Sequence, residues 1–195
     1  MEEALDRFLA RYAPQFQPFG EGRLALAPHV SRWQRPRRDC LVQAGEVLHE
    51  VFFVLRGAVR SYYLSEGTEV NTWFAFEDEL VGSFESYVHG RPSRETLELM
   101  EDTELLVLHL RTLRPELQHS LVLSNLVRVL VEEYTAFLEA RLSALQFSSA
   151  SERYEWLERF EPEALKRVPV QHLASYLGVT RETLSRIRAQ RRPLL

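Results

Sequence analysis

The sequence predicts an α+β protein: an N-terminal antiparallel β-barrel or jelly roll with flanking helices, a long helix, and a C-terminal helix-turn-helix. Three observations predict it. From Ser31 to about Leu110, short apolar or alternating runs are separated by turn residues. Between Glu116 and Glu161 the apolar period becomes helical, and neither Gly nor Pro interrupts it. From Val168 to Arg188, a small residue, a glycine and five apolar positions fall at the spacing of two short helices joined by a tight turn.

The elements follow in order. Leu5, Phe8, Leu9 and Tyr12 sit at helical spacing, and Pro14, Pro18 and Gly20 break that pattern. Leu24 to Val30 suits another short helix. The expected strands are Cys40 to Gln43, Val51 to Leu55, Ala58 to Leu64, Val70 to Phe74 and Leu105 to Leu110. Gly45, Gly57, Gly67 and Gly90-Arg91-Pro92 mark turns between them. Trp73, Phe74 and Phe76 read as core. The next stretch forms a helix of about 25–30 residues, longer than an ordinary globular helix. Along it, Leu117, Leu121, Leu126, Leu130, Tyr134, Phe137, Arg141 and Leu145 approximate a heptad seam that only Arg141 interrupts. Such a stripe predicts pairing with a second copy of the chain. The dimer helix is expected to use Leu126, Leu130, Tyr134, Phe137 and Leu145. Ser148-Ser149-Ala150-Ser151 marks a break, a second helix runs to Phe160, and Glu161-Pro162 marks a boundary. The expected segments are therefore a sensor domain over 1–113, the long helix over 114–147 and a DNA-binding domain over 148–195.

Charge separates the two ends. The whole chain carries −4. From Ala164 to Leu195, seven cations face the single anion Glu182, a local +6 that leaves −10 for the rest. A basic tail on an acidic body fits a nucleic-acid-binding module joined to another domain. A hydrophobic share of 45% fills a sizeable core. No apolar run is long enough for a membrane helix, and Met1 to Arg7 lacks the build of a signal peptide, so a cytoplasmic protein without a membrane partner is expected. The single cysteine, Cys40, reads as structural. One thiol cannot supply the set that holds an iron–sulfur cluster.

In the helix-turn-helix stretch, Ala174 permits close helix approach and Gly178 suits the positive φ of the turn. Leu173, Leu177, Val179, Leu184 and Ile187 form a shared core, and Thr180 suits the N-cap of the second helix. Arg181, Glu182, Ser185 and Arg186 then face outward at the end that enters the major groove. Arginine bonds guanine O6 and N7, and glutamate accepts from cytosine N4. Gln171, Thr180, Thr183, Ser185 and Arg188 suit the DNA backbone, with Arg191 and Arg192 adding charge.

Thr180-Arg181-Glu182-Thr183-Leu184-Ser185-Arg186-Ile187 resembles the recognition helix of the Crp/Fnr family of bacterial regulators. Gly45 and Gly57 fall where that family's β-roll has turn glycines, and the resemblance spans roughly residues 20 to 190. It implies a cyclic-nucleotide-binding-like β-roll, a long dimerisation helix and a winged helix-turn-helix. It also implies a homodimer on a near-palindromic double-stranded DNA site, with RNA polymerase as a partner. Arg181, Glu182 and Arg186 correspond to the base-reading residues, and Thr180 and Thr183 to phosphate contacts.

The sequence departs from the family twice. After the recognition helix only Arg191-Arg192-Pro193-Leu194-Leu195 remains, so little or no C-terminal wing is expected. The effector stretch, Val81 to Thr96, lacks the Gly-Glu pair that holds a cyclic nucleotide's ribose. Arg94 matches the phosphate arginine, but Glu95 follows it where a hydroxyl residue is expected, and Leu138 and Glu139 replace the helix hydroxyls. Glu85, Ser86 and Arg94 are the candidate effector pocket. The expectation is an effector of unknown identity that is not a cyclic nucleotide.

Two other readings stay open on sequence grounds. One is a ligand-sensing module whose helix-turn-helix serves mainly protein contact. The other is a cupin-like enzyme, which the lack of clustered histidines and carboxylates in the barrel segment argues against, as does the absence of an H-x-x-x-H pair, a P-loop or a G-x-S-x-G motif. The expected protein is a regulator, not an enzyme, and no metal site is expected.

Overall fold

A computed structural model of the protein describes residues 1–14, 19–147 and 149–191. Pro18, Ser148 and the run 192–195, on which the expected lack of a wing rests, lie outside the described residues.

The chain begins with helices α1 (Glu2–Tyr12) and α2 (Gly20–Leu26), and a 3-10 turn at Ala27–His29 leads into the sheets. The strands are β1 (Val30–Arg35), β2 (Cys40–Val42), β3 (Glu50–Arg56), β4 (Val59–Ser65), β5 (Thr68–Ala75), β6 (Leu80–Val81), β7 (Thr96–Leu99) and β8 (Thr103–His109). Helix α3 (Phe84–His89) lies between β6 and β7. Then follow α4 (Leu110–Glu116), the 27-residue α5 (Leu121–Phe147), α6 (Ala150–Phe160), α7 (Pro162–Arg167), α8 (Val170–Tyr176) and α9 (Arg181–Arg191).

The strands form two four-stranded sheets, ordered β1-β8-β3-β6 and β2-β7-β4-β5. Val30 pairs with Leu108 and Arg35 with Thr103, while Val51 pairs with Leu108 on the other side of β8. This antiparallel β-roll with flanking helices and a long helix is the fold class the sequence predicts. The expected strands are all present. Three strands carry too weak a local signal to be read beforehand. β1 is a half-exposed edge of polar composition, β6 has two residues, and β7 has four. The helix expected over Leu24 to Val30 is a correction: the turn ends at His29, and Val30 already extends into β1 to take backbone bonds from β8.

The described residues divide into two compact units. The first joins Met1–Ser61 to Phe74–Glu133, and the second joins Tyr62–Trp73 to Tyr134–Leu195.

In the first unit, α1 places Leu5, Phe8, Leu9 and Tyr12 in a core with Leu26, Phe53, Leu106, Leu113, Leu123 and Leu126. The Phe8 and Phe53 rings meet edge to face at 5.3 Å. Each such buried aromatic contributes about 1.5–3 kcal/mol from area alone. The Arg7 guanidinium closes the edge of this core by pairing with Asp78 and donating to the Leu55 carbonyl at 2.8 Å. Gly57 is required twice over. Its φ is +104°, and a Cβ there would stand 2.5 Å from Thr103 Oγ1 and 2.9 Å from its Cα. Phe74 and Phe76 are buried, as expected. Cys40, read as structural, is a free thiol in this unit. It is exposed on the short strand β2, and partial desolvation together with Glu98 raises its thiol pKa.

In the second unit, α6 starts with a capping box. Ser149 Oγ accepts from the Glu152 amide, and Glu152 Oε2 accepts from the Ser149 amide at 2.6 Å. Tyr154, Leu157, Ala164, Leu173, Ala174, Tyr176, Leu177, Leu184 and Ile187 are buried and hold α6 to α9 together.

Candidate nucleic-acid interface and effector pocket

Helices α8 and α9 are joined through Leu177 to Thr180, with Gly178 at φ +63°. A left-handed residue here turns the chain without a Cβ penalty. Thr180 Oγ1 accepts from the Thr183 amide at 3.2 Å and so caps α9, as its position predicts. Ala174, Leu184 and Ile187 are buried between the helices. On the other face Arg181, Glu182, Ser185 and Arg186 are all exposed. The Glu182 carboxyl is held below the usual carboxylate range, first by its own backbone amide and then by the Thr180 hydroxyl. It is therefore a charged acceptor flanked by two guanidinium groups.

The other expected DNA contacts are placed less uniformly. Gln171 is exposed at the start of α8. The Thr180 and Thr183 hydroxyls lie 3.1 Å apart and bond one another. Arg188 is half-buried and donates to the Leu165 carbonyl at 3.5 Å. Arg191 is held by Glu158 at 2.7 Å and by Glu155. Arg192 lies outside the described residues.

Strand β5, just past the turn of the β4–β5 hairpin, packs on α8. The Asn71 amide donates to Ser175 Oγ at 2.8 Å, and Ser175 Oγ donates to the Glu69 carbonyl at 3.1 Å. Asn71 is buried, and His172 Nδ1 lies 3.4 Å from Asn71 Nδ2. Ser175 thus links the hairpin to the helix pair. The sequence offers no sign of this, because the partners are about a hundred positions apart and each looks like an ordinary polar residue.

Helix α5 redistributes the expected seam. Leu126 is 2% exposed and belongs to the first unit's own core, with Leu130 packed against it. Tyr134 and Phe137 meet the Trp73 ring at 5.6 and 4.3 Å, and Phe137 also meets Trp156. Arg141 stacks on the Tyr176 ring, its guanidinium carbon 3.5 Å from the centroid, and donates to the Tyr176 carbonyl. Leu145 stays exposed, and Leu138 and Leu142 join it at the same i, i+4, i+7 spacing.

No hydrogen bond or ion pair joins Arg94 to Glu85 or Ser86 among the described residues. Glu85 pairs with Arg91 at 3.5 Å. Ser86 is buried, and its hydroxyl donates to the Arg91 carbonyl while accepting from the Leu48 amide. Arg94 is exposed. Glu95 accepts from the Ser61 hydroxyl, and the buried Arg60 guanidinium is paired with Glu98 at 3.2 Å. Among the described residues, no group of three or more His, Cys, Asp or Glu side chains is placed to hold a metal ion. No described helix is long and apolar enough to cross a membrane.

Residues 32–120 match the family model of the cyclic nucleotide-binding domain. No curated protein matches the sequence. Among solved structures, FixK2 from Bradyrhizobium japonicum is 23% identical with a TM-score of 0.67, over 83% of each chain. The catabolite activator protein of Thermus thermophilus is 21% identical with a TM-score of 0.56, over 94% of this chain and 85% of that one. The c-di-GMP-responsive global regulator CLP of Xanthomonas campestris is 20% identical with a TM-score of 0.66, over 87% and 90%. Residues 32–120 are thus similar in sequence to the cyclic nucleotide-binding domain, and the chain shares the fold of these solved structures.

Proposed function

We propose that this chain is a homodimeric, sequence-specific DNA-binding transcription regulator of the Crp/Fnr type. Arg181, Glu182 and Arg186 read base edges, and Gln171, Thr180, Thr183, Ser185 and Arg188 line the DNA backbone. The observation that carries the reading is the N-terminal end of α9. Its capped first turns present Arg181, Glu182, Ser185 and Arg186 to solvent while Leu184 and Ile187 are buried behind them. Two guanidinium forks around an ionised carboxylate can discriminate G·C pairs in either orientation. The local +6 charge supplies the phosphate attraction. Dimerisation is assigned to the second half of α5, where Leu138, Leu142 and Leu145 offer an apolar strip to a second copy. RNA polymerase is the expected protein partner.

The β-roll is assigned a sensing role with an effector other than a cyclic nucleotide. The residues present do not fit that ligand. Glu95 sets a carboxylate next to Arg94 and is committed to Ser61, Ser86 is consumed by backbone groups, and the buried Arg60 is neutralised by Glu98.

Selection of binding sites from a random duplex pool tests the reading, with enrichment of a near-palindromic site as the expected result. At that site Arg181→Ala and Arg186→Ala each cost about 1–3 kcal/mol and relax base preference. Binding that follows salt alone, with no enriched sequence, refutes it.

A further inference from the structure

The first unit carries a cleft of about 410 Å³ between α3, α4 and the start of β3. Its floor and sides are apolar: Leu48, Tyr87, Leu110 and Pro115. Its charged lining is of one sign. Arg111 and Arg114 project from successive turns of α4, His49 adds a third basic group, and no carboxylate lines the cleft. This is notable in a chain whose net charge outside the C-terminal segment is strongly negative.

The two arginines differ in a way that suits a ligand. Arg114 is held in place, with its guanidinium 5.4 Å from the Tyr87 centroid and one Nη donating to the Val88 carbonyl at 3.4 Å. Arg111 has no hydrogen-bond or ion-pair partner among the described residues. Two guanidinium groups at i, i+3 repel each other unless an anion lies between them. The floor beneath is fixed by the Ser86 hydroxyl, which joins the Leu48 amide to the Arg91 carbonyl, and by the Leu110 amide bonded to the His49 carbonyl. The volume lies within the range of small-molecule sites, and so does the combination of an apolar floor with a few polar groups.

We propose that this cleft binds a small organic anion with a flat apolar body, such as an aromatic carboxylate or an aryl phosphate. The acid is clamped by Arg111 and Arg114, bidentate at one or both. The ring lies on Tyr87, Leu110 and Pro115. The proposal rests on the sensing role assigned to this domain and gives that role a site and a ligand class. It places the site outside the cradle of Glu85 and Arg94 that the resemblance indicates. Ser86 is shared, so occupancy acts on both α3 and α4, and α4 leads into α5.

The test is a titration of the isotope-labelled full chain followed by amide chemical shifts. Benzoate and phenyl phosphate are the probes, with phenol and inorganic phosphate as the neutral and ring-free controls. Benzoate or phenyl phosphate should shift amides at 48–49, 86–88 and 110–118 with about millimolar affinity, as expected of a fragment. Whichever of the two binds more tightly identifies the acid. Both controls should bind at least about tenfold more weakly, and the Arg111→Ala/Arg114→Ala double variant should lose at least about tenfold. Both residues are exposed, so the double variant retains its fold, which its unperturbed amides elsewhere verify. Phenol binding as well as benzoate overturns the proposal, as do shifts confined to other residues, unchanged affinity in the double variant, or no shift at about ten times the expected constant. Arg181→Ala should bind benzoate as the parent does, so a failure of DNA reading and a failure of this site are separable.

Discussion

Ser175→Ala removes the hydroxyl that joins the β4–β5 hairpin to α8. The hydroxyl serves two backbone groups, the Asn71 amide at 2.8 Å and the Glu69 carbonyl at 3.1 Å. Asn71 is 2% exposed, so its amide is left buried without that acceptor, whereas Glu69 is half-exposed and its carbonyl can turn to water. A stranded buried donor costs about 1–3 kcal/mol, so a value near 2 kcal/mol is expected, with little added by Glu69. That corresponds to roughly 4–8 °C in the melting temperature of a chain this size. The sharper assay is amide hydrogen exchange. Opening of the hairpin contact should become about 30-fold more frequent, and the loss of protection should centre on Asn71 and the residues of α8. The first unit's core amides, such as those of Phe53 and Leu106, should keep theirs. Unchanged protection at Asn71 in the variant would mean that water replaces the hydroxyl without cost, and the bridge would then hold nothing together.

Further predictions concern backbone, association and titration. Gly178→Ala meets no atom within 4 Å and pays only the left-handed φ, about 1–2 kcal/mol, whereas Gly57→Ala pays that and the clash with Thr103. Chemical denaturation should therefore rank Gly57→Ala as the more damaging, and equal losses would refute the steric argument. Leu142→Glu places a charge in the exposed strip between Leu138 and Leu145 and should convert a dimer to monomers in sedimentation while leaving the melting profile of the monomer intact. Burial raises the Glu79 carboxyl pKa above its ordinary value even though the Phe76 amide bonds the charged form. Folding thus favours the protonated acid, and that contribution is present at low pH and is lost as pH climbs through the raised pKa. Glu79→Gln should accordingly gain stability relative to the parent as pH rises above the usual carboxylate range. A constant difference across the pH range would show that Glu79 does not titrate differently on folding.

Much of the fold was legible because it is written in local spacing. The two-residue alternation of the strands, the helical period from Leu121 on, and the Ala174, Gly178, Thr180 and Leu184 spacing of the helix pair each reflect geometry within a few residues. The strands that escaped notice, β1, β6 and β7, are short or half-exposed, and what holds them in the sheets is pairing with distant partners. The same limit affected α5. Its heptad identifies an apolar helix but not what covers each side. Leu126 and Leu130 are taken by the chain's own core, Tyr134 and Phe137 by Trp73, and Arg141 leaves the seam for Tyr176.

Most of the element types, the charge asymmetry and the outward residues of α9 are readable along the chain, since each follows from local periodicity and composition. The packing of β5 on α8 through Ser175 came from the folded arrangement alone. That arrangement alone decided that Leu138, Leu142 and Leu145 are the free strip of the long helix, and that Arg111 and Arg114 share a cleft with Tyr87. Those are contacts between residues far apart in the chain. A side chain's burial and partners are set by whichever distant surface closes over it, and no local pattern records which surface that will be.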